Sequence, residues 1–154
     1  MVSGNRIVSW DRRRDIILDE AGVLAKFGVA PQSIPDWLAL VGDAADGYPG
    51  IPGWGAKSAS GVLSKFGHLE SIPQKASLWG IKGMAPGRAA SLAVSLEQHR
   101  EEVLLYRKLA TLRSDVHLAE SLNDLEWQGA HPRLKELCAE LGDESIAERV
   151  TRWP

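Results

Sequence analysis

The sequence predicts a mainly α-helical protein with one short β-hairpin at its N-terminus, and three observations carry that expectation. Apolar residues recur at helical spacing, first as Ile34, Trp37, Leu38 and Val41 at i, i+3, i+4 and i+7. Glycines at 28, 42 and 67 stand just past such stretches, where a helix needs a residue that can leave the helical conformation. Residues 6–18 alone read as a strand pair. At 154 residues, 44% hydrophobic and 25% charged, the chain can bury one core, and its composition excludes a disordered or fibrous protein.

In chain order, residues 6–10 and 15–18 are strands around the polar turn Asp11-Arg12-Arg13-Arg14. An isolated hairpin is only marginally stable, so this one must lean on something else. Asp19 caps a helix from Glu20 to Phe27, whose apolar face is Val23, Leu24 and Phe27, and Gly28 ends it. The helix carrying Ile34 to Val41 holds Pro35 in its first turn, where the missing N–H costs little. Residues 43–55 contain four glycines and two prolines in thirteen positions, a density that demands a shaped loop. Helix resumes from Ala56 to Phe66, burying Ala59, Val62, Leu63 and Phe66. Short helical turns near 68–72 and 74–79 precede a helical stretch over 86–112, interrupted near His99, with Ala89, Leu92, Leu96, Val103, Tyr106, Leu109 and Ala110 on its apolar side. Residues 121–128 read as extended. Two amphipathic helices follow, one with Leu134, Leu137, Cys138 and Leu141, the other with Ile146, Val150 and Trp153. The sequence shows no repeat and no low-complexity segment, beyond a weak likeness between the helix-loop-helix units over 34–66 and 74–98.

The net charge of −2 hides an uneven distribution. Residues 1–55 sum to −2, residues 56–113 to +5 and residues 114–154 to −5. A basic middle in an acidic chain suits either a polyanion-binding surface or ordinary solvated helix faces. A single cysteine, Cys138, permits no internal disulfide and reads as a small core residue, and the four scattered histidines form no zinc-binding spacing. There is neither an apolar run long enough to span a membrane nor a signal-peptide core, so the expected location is the cytoplasm.

The segment Ile51-Pro52-Gly53-Trp54-Gly55-Ala56-Lys57-Ser58 directly precedes a helix. Its glycines let the backbone turn sharply and let a ligand approach without meeting a side chain, while the free N–H groups of the next helical turn carry the positive end of the dipole. A phosphate suits that arrangement, with Lys57 beside it. The segment lacks GxxxxGK[ST], and no buried strand precedes it, so neither a nucleoside-triphosphate loop nor a dinucleotide fingerprint applies. A plain tight turn between helices is the structural alternative.

These residues resemble the helix-hairpin-helix DNA-binding motif: hydrophobic-Pro-Gly-hydrophobic-Gly at 51–55, then the small Ala59 and the apolar pair Val62-Leu63. The longer run over 36–55, from Asp36-Trp37-Leu38 through Gly42-Asp43-Ala44-Ala45-Asp46-Gly47-Tyr48-Pro49-Gly50, resembles the C-terminal helix-three-turn-helix region of the 5′-3′ exonuclease and flap endonuclease family, which includes the N-terminal part of bacterial DNA polymerase I. The likeness continues through Arg107-Lys108-Leu109-Ala110-Thr111-Leu112-Arg113-Ser114-Asp115-Val116 and upstream to Trp10-Asp11 and Lys26-Phe27-Gly28. The resemblance implies a SAM-like helical bundle that grips duplex or flap DNA by one strand's phosphates, without reading sequence. It also implies a potassium ion held by the backbone carbonyls of Pro49, Ile51 and Trp54. Gly53, Gly55, Ala56, Lys57 and Ser58 would meet DNA, with Lys65, Lys82, Arg88, Arg107 and Lys108 as further phosphate contacts from the basic middle.

Asp43 and Asp46 follow a helix C-terminus, where carboxylates oppose the dipole at roughly 0.3–1 kcal/mol each. Capping and an ordinary Asp-Gly turn are their structural alternatives. The matching aspartates of the family are magnesium ligands, so the resemblance implies the same role here. Two-metal phosphodiester hydrolysis needs a larger nest of carboxylates, which two aspartates cannot build. By resemblance, residues 1–28 are the remnant edge of an N-terminal nuclease domain, 29–113 the DNA-binding domain, and 114–154 an acidic helical extension of it. The chain departs from the family pattern at Ala44-Ala45, where serine is usual, Gly47, where asparagine is usual, and Tyr48, where a branched aliphatic is usual. Three functional expectations follow: DNA binding as the C-terminal region of a magnesium-dependent nuclease, with an N-terminal nuclease domain or a polymerase as partner, a catalytically inactive DNA clamp, or a helical interaction domain without DNA binding.

Overall fold

The carboxylate of Asp19 accepts the N–H of Gly22 at 2.8 Å and opens the first helix, α1 (Glu20–Phe27), while Gly28 closes it at φ 70°. The computed structural model describes residues 2–4 and 6–153. Before α1, β1 (Ser9–Asp11) pairs antiparallel with β2 (Ile16–Leu18) in the register Trp10 opposite Ile17. Trp10, Ile16 and Ile17 remain exposed, so this hairpin contributes little to the core.

The helices α2 (Ile34–Val41), α3 (Ala56–Phe66), α4 (Pro86–Gln98) and α5 (Arg100–Ala110) build the central bundle. One-turn 3-10 helices at Leu69–Ser71 and Ala76–Leu78 link α3 to α4. The core joins Leu40 of α2, Ala59, Val62 and Leu63 of α3, Leu92 of α4 and Val103 of α5 around Trp54 and Trp79. By area, each of these leucine and valine side chains contributes about 1.5–3 kcal/mol. Two expected faces differ from the observed ones. In α2 the fully buried positions are Pro35, Asp36, Ala39 and Leu40, while Ile34, Trp37 and Val41 are only partly buried, because this almost wholly apolar helix is enclosed from several sides. In α1, Val23 is buried and Leu24 is exposed.

By contact density the chain divides into two units, one ending at Arg113 and the other running from Ser114. The second unit contains a 3-10 turn at Leu122–Leu125, α6 (Arg133–Leu141) and α7 (Ser145–Glu148). The expectation of an extended segment over 121–128 is therefore corrected. Ser121 and Asp124 form a reciprocal cap, the Asp124 carboxylate accepting both the backbone N–H and the hydroxyl of Ser121, and that local chemistry curls the chain. Cys138 is buried as expected, but Leu137, Leu141 and Ile146 face solvent.

Candidate nucleic-acid interface

Two glycines shape the approach to the site. Gly42 at φ 91° ends α2, and a Cβ there would lie 2.5 Å from the Pro49 carbonyl. Gly50 at φ 73° reciprocates, its Cβ position lying 2.5 Å from the Gly42 nitrogen. Only backbone fits between them. This contact pinches off a small loop, closed by the Asp43 N–H to the Tyr48 carbonyl at 2.9 Å and the Tyr48 N–H to the Asp43 carbonyl at 3.2 Å. The Ile51 N–H then donates to the Leu40 carbonyl at 3.0 Å and returns the chain to the core.

The next turn is closed by the Trp54 N–H donating to the Ile51 carbonyl at 3.2 Å, with Gly53 at φ 80°. Trp54 anchors it from below, buried against Trp79, its indole N–H donating to the Leu92 carbonyl at 3.2 Å. Helix α4 braces the turn from the side. Ser95 Oγ donates to the Pro52 carbonyl at 2.6 Å, and the Arg88 guanidinium donates to the Gly53 carbonyl. Gly55 then enters α3 in extended conformation, its N–H donating to Ser58 Oγ at 3.1 Å. Among the described residues no protein acceptor takes the N–H groups of Ala56 and Lys57, which lie in the first turn of α3. A rigid turn, open glycines and free N–H groups at a helix N-terminus form an anion-accepting surface.

The structure brings together Lys57, Ser58, Lys82 and Arg88, which line one groove of about 590 Å³ with Gly61, Ile81 and Gly83. Lys108 is exposed and does not line this groove. The Lys65 ammonium donates to the Trp79 carbonyl at 2.7 Å. Arg107 is committed elsewhere: its guanidinium reaches the Asp36 carboxylate at 3.2 Å and also pairs with Glu70. Those two carboxylates raise the Arg107 pKa against the opposing effect of burial, and the hydrogen bond from Arg107 lowers that of Glu70. Asp36 is 2% exposed and also faces His68 Nδ1 at 2.8 Å. Sequence reading missed this network because its members lie 32 and 71 residues apart and share no periodicity.

Asp43 and Asp46 sit in the small loop, where Asp43 Oδ1 accepts the Ala45 N–H at 3.0 Å. Tyr48 beneath them is buried, its ring stacked on Tyr106 at 5.8 Å, and its hydroxyl has no partner. Burial, then the negative charges of Asp43 and Asp46, push the phenol pKa up, so the hydroxyl stays protonated. Among the described residues no group of three or more acidic, histidine or cysteine side chains gathers to hold a metal. A magnesium ion that keeps most of its waters needs only one or two carboxylates, so Asp43 and Asp46 would hold at most one such ion, weakly, and no two-ion centre. For a potassium ion, the Pro49 and Trp54 carbonyls accept from no protein donor among the described residues, and the Ile51 carbonyl has a second lone pair beyond its bond to Trp54. That donor set is compatible with a monovalent cation.

A family model described as the 5′-3′ exonuclease C-terminal SAM fold matches residues 29–133. The chain belongs to this family. It is 39% identical over 129 residues to DNA polymerase I of Bacillus caldotenax, a match that covers 83% of this chain and 14% of that protein. It is 34% identical over 153 residues to a 5′-3′ exonuclease of Aquifex aeolicus, covering 99% of this chain and 48% of that protein. The flap endonuclease Xni of Pectobacterium carotovorum is 36% identical over 108 residues, covering 70% and 38% respectively. The chain thus spans less than half the length of each of these relatives. Membership agrees with the helical bundle, and no helix among the described residues is long and apolar enough to cross a membrane.

Proposed function

We propose that this chain binds duplex DNA without sequence preference, as the C-terminal region of a magnesium-dependent 5′-3′ exonuclease or flap endonuclease. The observation that carries the reading is the Gly53 turn, braced on α4 by Ser95 and Arg88 and leading into the free N–H groups of α3. Gly53, Gly55, Ala56 and Lys57 approach one strand's phosphates, with Lys82, Arg88 and Lys108 adding charge from the same basic middle. The carbonyls of Pro49, Ile51 and Trp54 would hold a potassium ion, which would supply positive charge for a phosphate beside the turn. Contacts of this type position DNA and carry no sequence information. Asp43 and Asp46 hold magnesium together with carboxylates from an N-terminal nuclease domain, and residues 29–113 form the DNA-binding domain. That the chain matches 48% of a relative named a 5′-3′ exonuclease supports the nuclease part of this reading.

The test is a titration of two unrelated duplexes at several salt concentrations. The reading expects similar affinity for both and a steep loss with salt. Absence of binding at low salt, or a strong preference between the duplexes, overturns it. Gly53→Val removes most binding, since a branched side chain opposes the positive φ and blocks the phosphate. A second reading, the catalytically inactive clamp, is favoured by one observation: among the described residues no group of three or more acidic, histidine or cysteine side chains gathers, and a two-ion centre needs more than a pair of carboxylates.

A further inference from the structure

The stretch that begins at Gly80 repeats the stretch that begins at Gly50, thirty residues earlier. Gly50-Ile51-Pro52-Gly53-Trp54 corresponds to Gly80-Ile81-Lys82-Gly83-Met84. Both turns close on the same bond: the Trp54 N–H donates to the Ile51 carbonyl at 3.2 Å, and the Met84 N–H to the Ile81 carbonyl at 3.1 Å. Gly53 and Gly83 have φ 80° and 79°. The correspondence continues into the helices that follow, where Ala59 and Val62 of α3, and Ala89 and Leu92 of α4, are all buried. Each unit also braces the other: Ser95 and Arg88 of α4 hold the Pro52 and Gly53 carbonyls, and Lys65 of α3 holds the Trp79 carbonyl just before the second turn.

The groove lined by Lys57, Lys82 and Arg88 lies against this second turn, taking in Ile81, Gly83 and Met84. Between residues 47 and 96 the chain has one acidic residue, Glu70, against Lys57, Lys65, Lys75, Lys82 and Arg88. Glu70 is already paired with Arg107. Among the described residues neither Lys57 nor Lys82 has an acidic partner. Like charges gathered in one groove repel each other unless a polyanion compensates them. At the thirty-residue offset, Lys82 takes the place of Pro52 and Gly87 that of Lys57, so each unit contributes one lysine at a different point of the repeat. A Cβ at Gly83 would meet nothing within 4 Å, so the second turn presents open backbone beside Lys82.

We propose that the turn over residues 81–84 is a second phosphate grip, and that a DNA backbone lies in the groove beside it with its phosphates facing Lys57 and Lys82. The inference rests on the DNA-binding reading above and extends it from one grip to two. Both grips act on backbone phosphates, so the second adds affinity and salt dependence without adding sequence preference.

The experiment is fluorescence anisotropy of the full chain with an end-labelled duplex across a series of potassium chloride concentrations, for wild type, Gly53→Val, Lys82→Ala and Gly83→Val, each checked for folding by its thermal melt. Lys82→Ala changes one exposed side chain and keeps the test valid if Gly83→Val fails to fold. The expected result is that Lys82→Ala flattens the slope of log affinity against log salt by about 0.9 and weakens binding several-fold at low salt. Folded Gly83→Val weakens binding with every charge intact. If Gly53→Val loses binding while Lys82→Ala matches wild type in affinity and slope, the second grip is overturned and the first stands. A loss with Lys82→Ala but none with folded Gly83→Val also overturns it, reducing the groove to a charged face. Absence of wild-type binding at low salt overturns both readings.

Discussion

Arg107 on α5 donates to the buried carboxylate of Asp36 on α2 at 3.2 Å, across 71 residues of sequence. The contact fastens the last helix of the bundle to the helix that leads into the Asp43 loop. Arg107→Ala leaves the Asp36 carboxylate buried with His68 as its remaining partner. Removing one member of a buried ion pair costs about 3–5 kcal/mol, and the retained histidine and the partial exposure of Arg107 place this variant near the lower end. Chemical denaturation should report a stability loss of about 3 kcal/mol. If Arg107 instead faces DNA phosphates, the variant keeps its stability and loses affinity.

Gly47 and Gly50 separate two sources of glycine requirement. Gly50→Ala combines a positive φ with a Cβ placed 2.5–2.6 Å from backbone atoms that cannot rotate away. Gly47 has φ 82° but open space around it, so Gly47→Ala bears only the conformational cost, roughly 1–2 kcal/mol. The expected thermal melts are a small shift for Gly47→Ala and loss of cooperative folding for Gly50→Ala. Equal shifts would mean that the close backbone crossing is not maintained in solution.

Much of this fold was legible because its signals are local. The Asp19 cap, the glycines after α1, α2 and α3, and the break at His99 lie within a few residues of what they control. The Gly53 turn was legible for the same reason. What stayed hidden is non-local: Arg107 reads in sequence as one more basic residue beside Lys108, and only the fold places Asp36 and Glu70 around it. The buried faces of α2 were misread because a helix that is apolar nearly all round has no single stripe to follow.

The Glu70 carboxyl is held below its ordinary pKa, mainly by the hydrogen bond from Arg107. A carboxylate depressed in the folded state stabilises fully above its unfolded pKa and loses that contribution as pH falls through the folded value. The melting temperature of wild type should therefore exceed that of Glu70→Gln at neutral pH, with the gap closing as pH falls below the ordinary glutamate range. Glu70 is more than half exposed, so screening keeps the gap small, on the order of 2 °C. A gap that persists unchanged at low pH would assign the effect to packing.

The chain alone, with magnesium, should not measurably cleave a 5′ flap, yet Asp43 and Asp46 should matter once a nuclease domain is added. Two carboxylates in a loop leave a magnesium ion weakly held, and nothing then fixes a second ion or aligns the attacking water. Asp43 already accepts the Ala45 N–H, so the loop holds part of its shape without metal. Changing both aspartates to alanine should leave duplex affinity unchanged or slightly improved, because it removes two negative charges near the phosphate path. Flap cleavage by the purified chain, with and without a 5′-3′ exonuclease N-terminal domain supplied in trans, separates the outcomes. Cleavage that requires the added domain and is lost in the double variant places the two aspartates in a composite site. Robust cleavage by the chain alone would mean that it carries a complete catalytic centre.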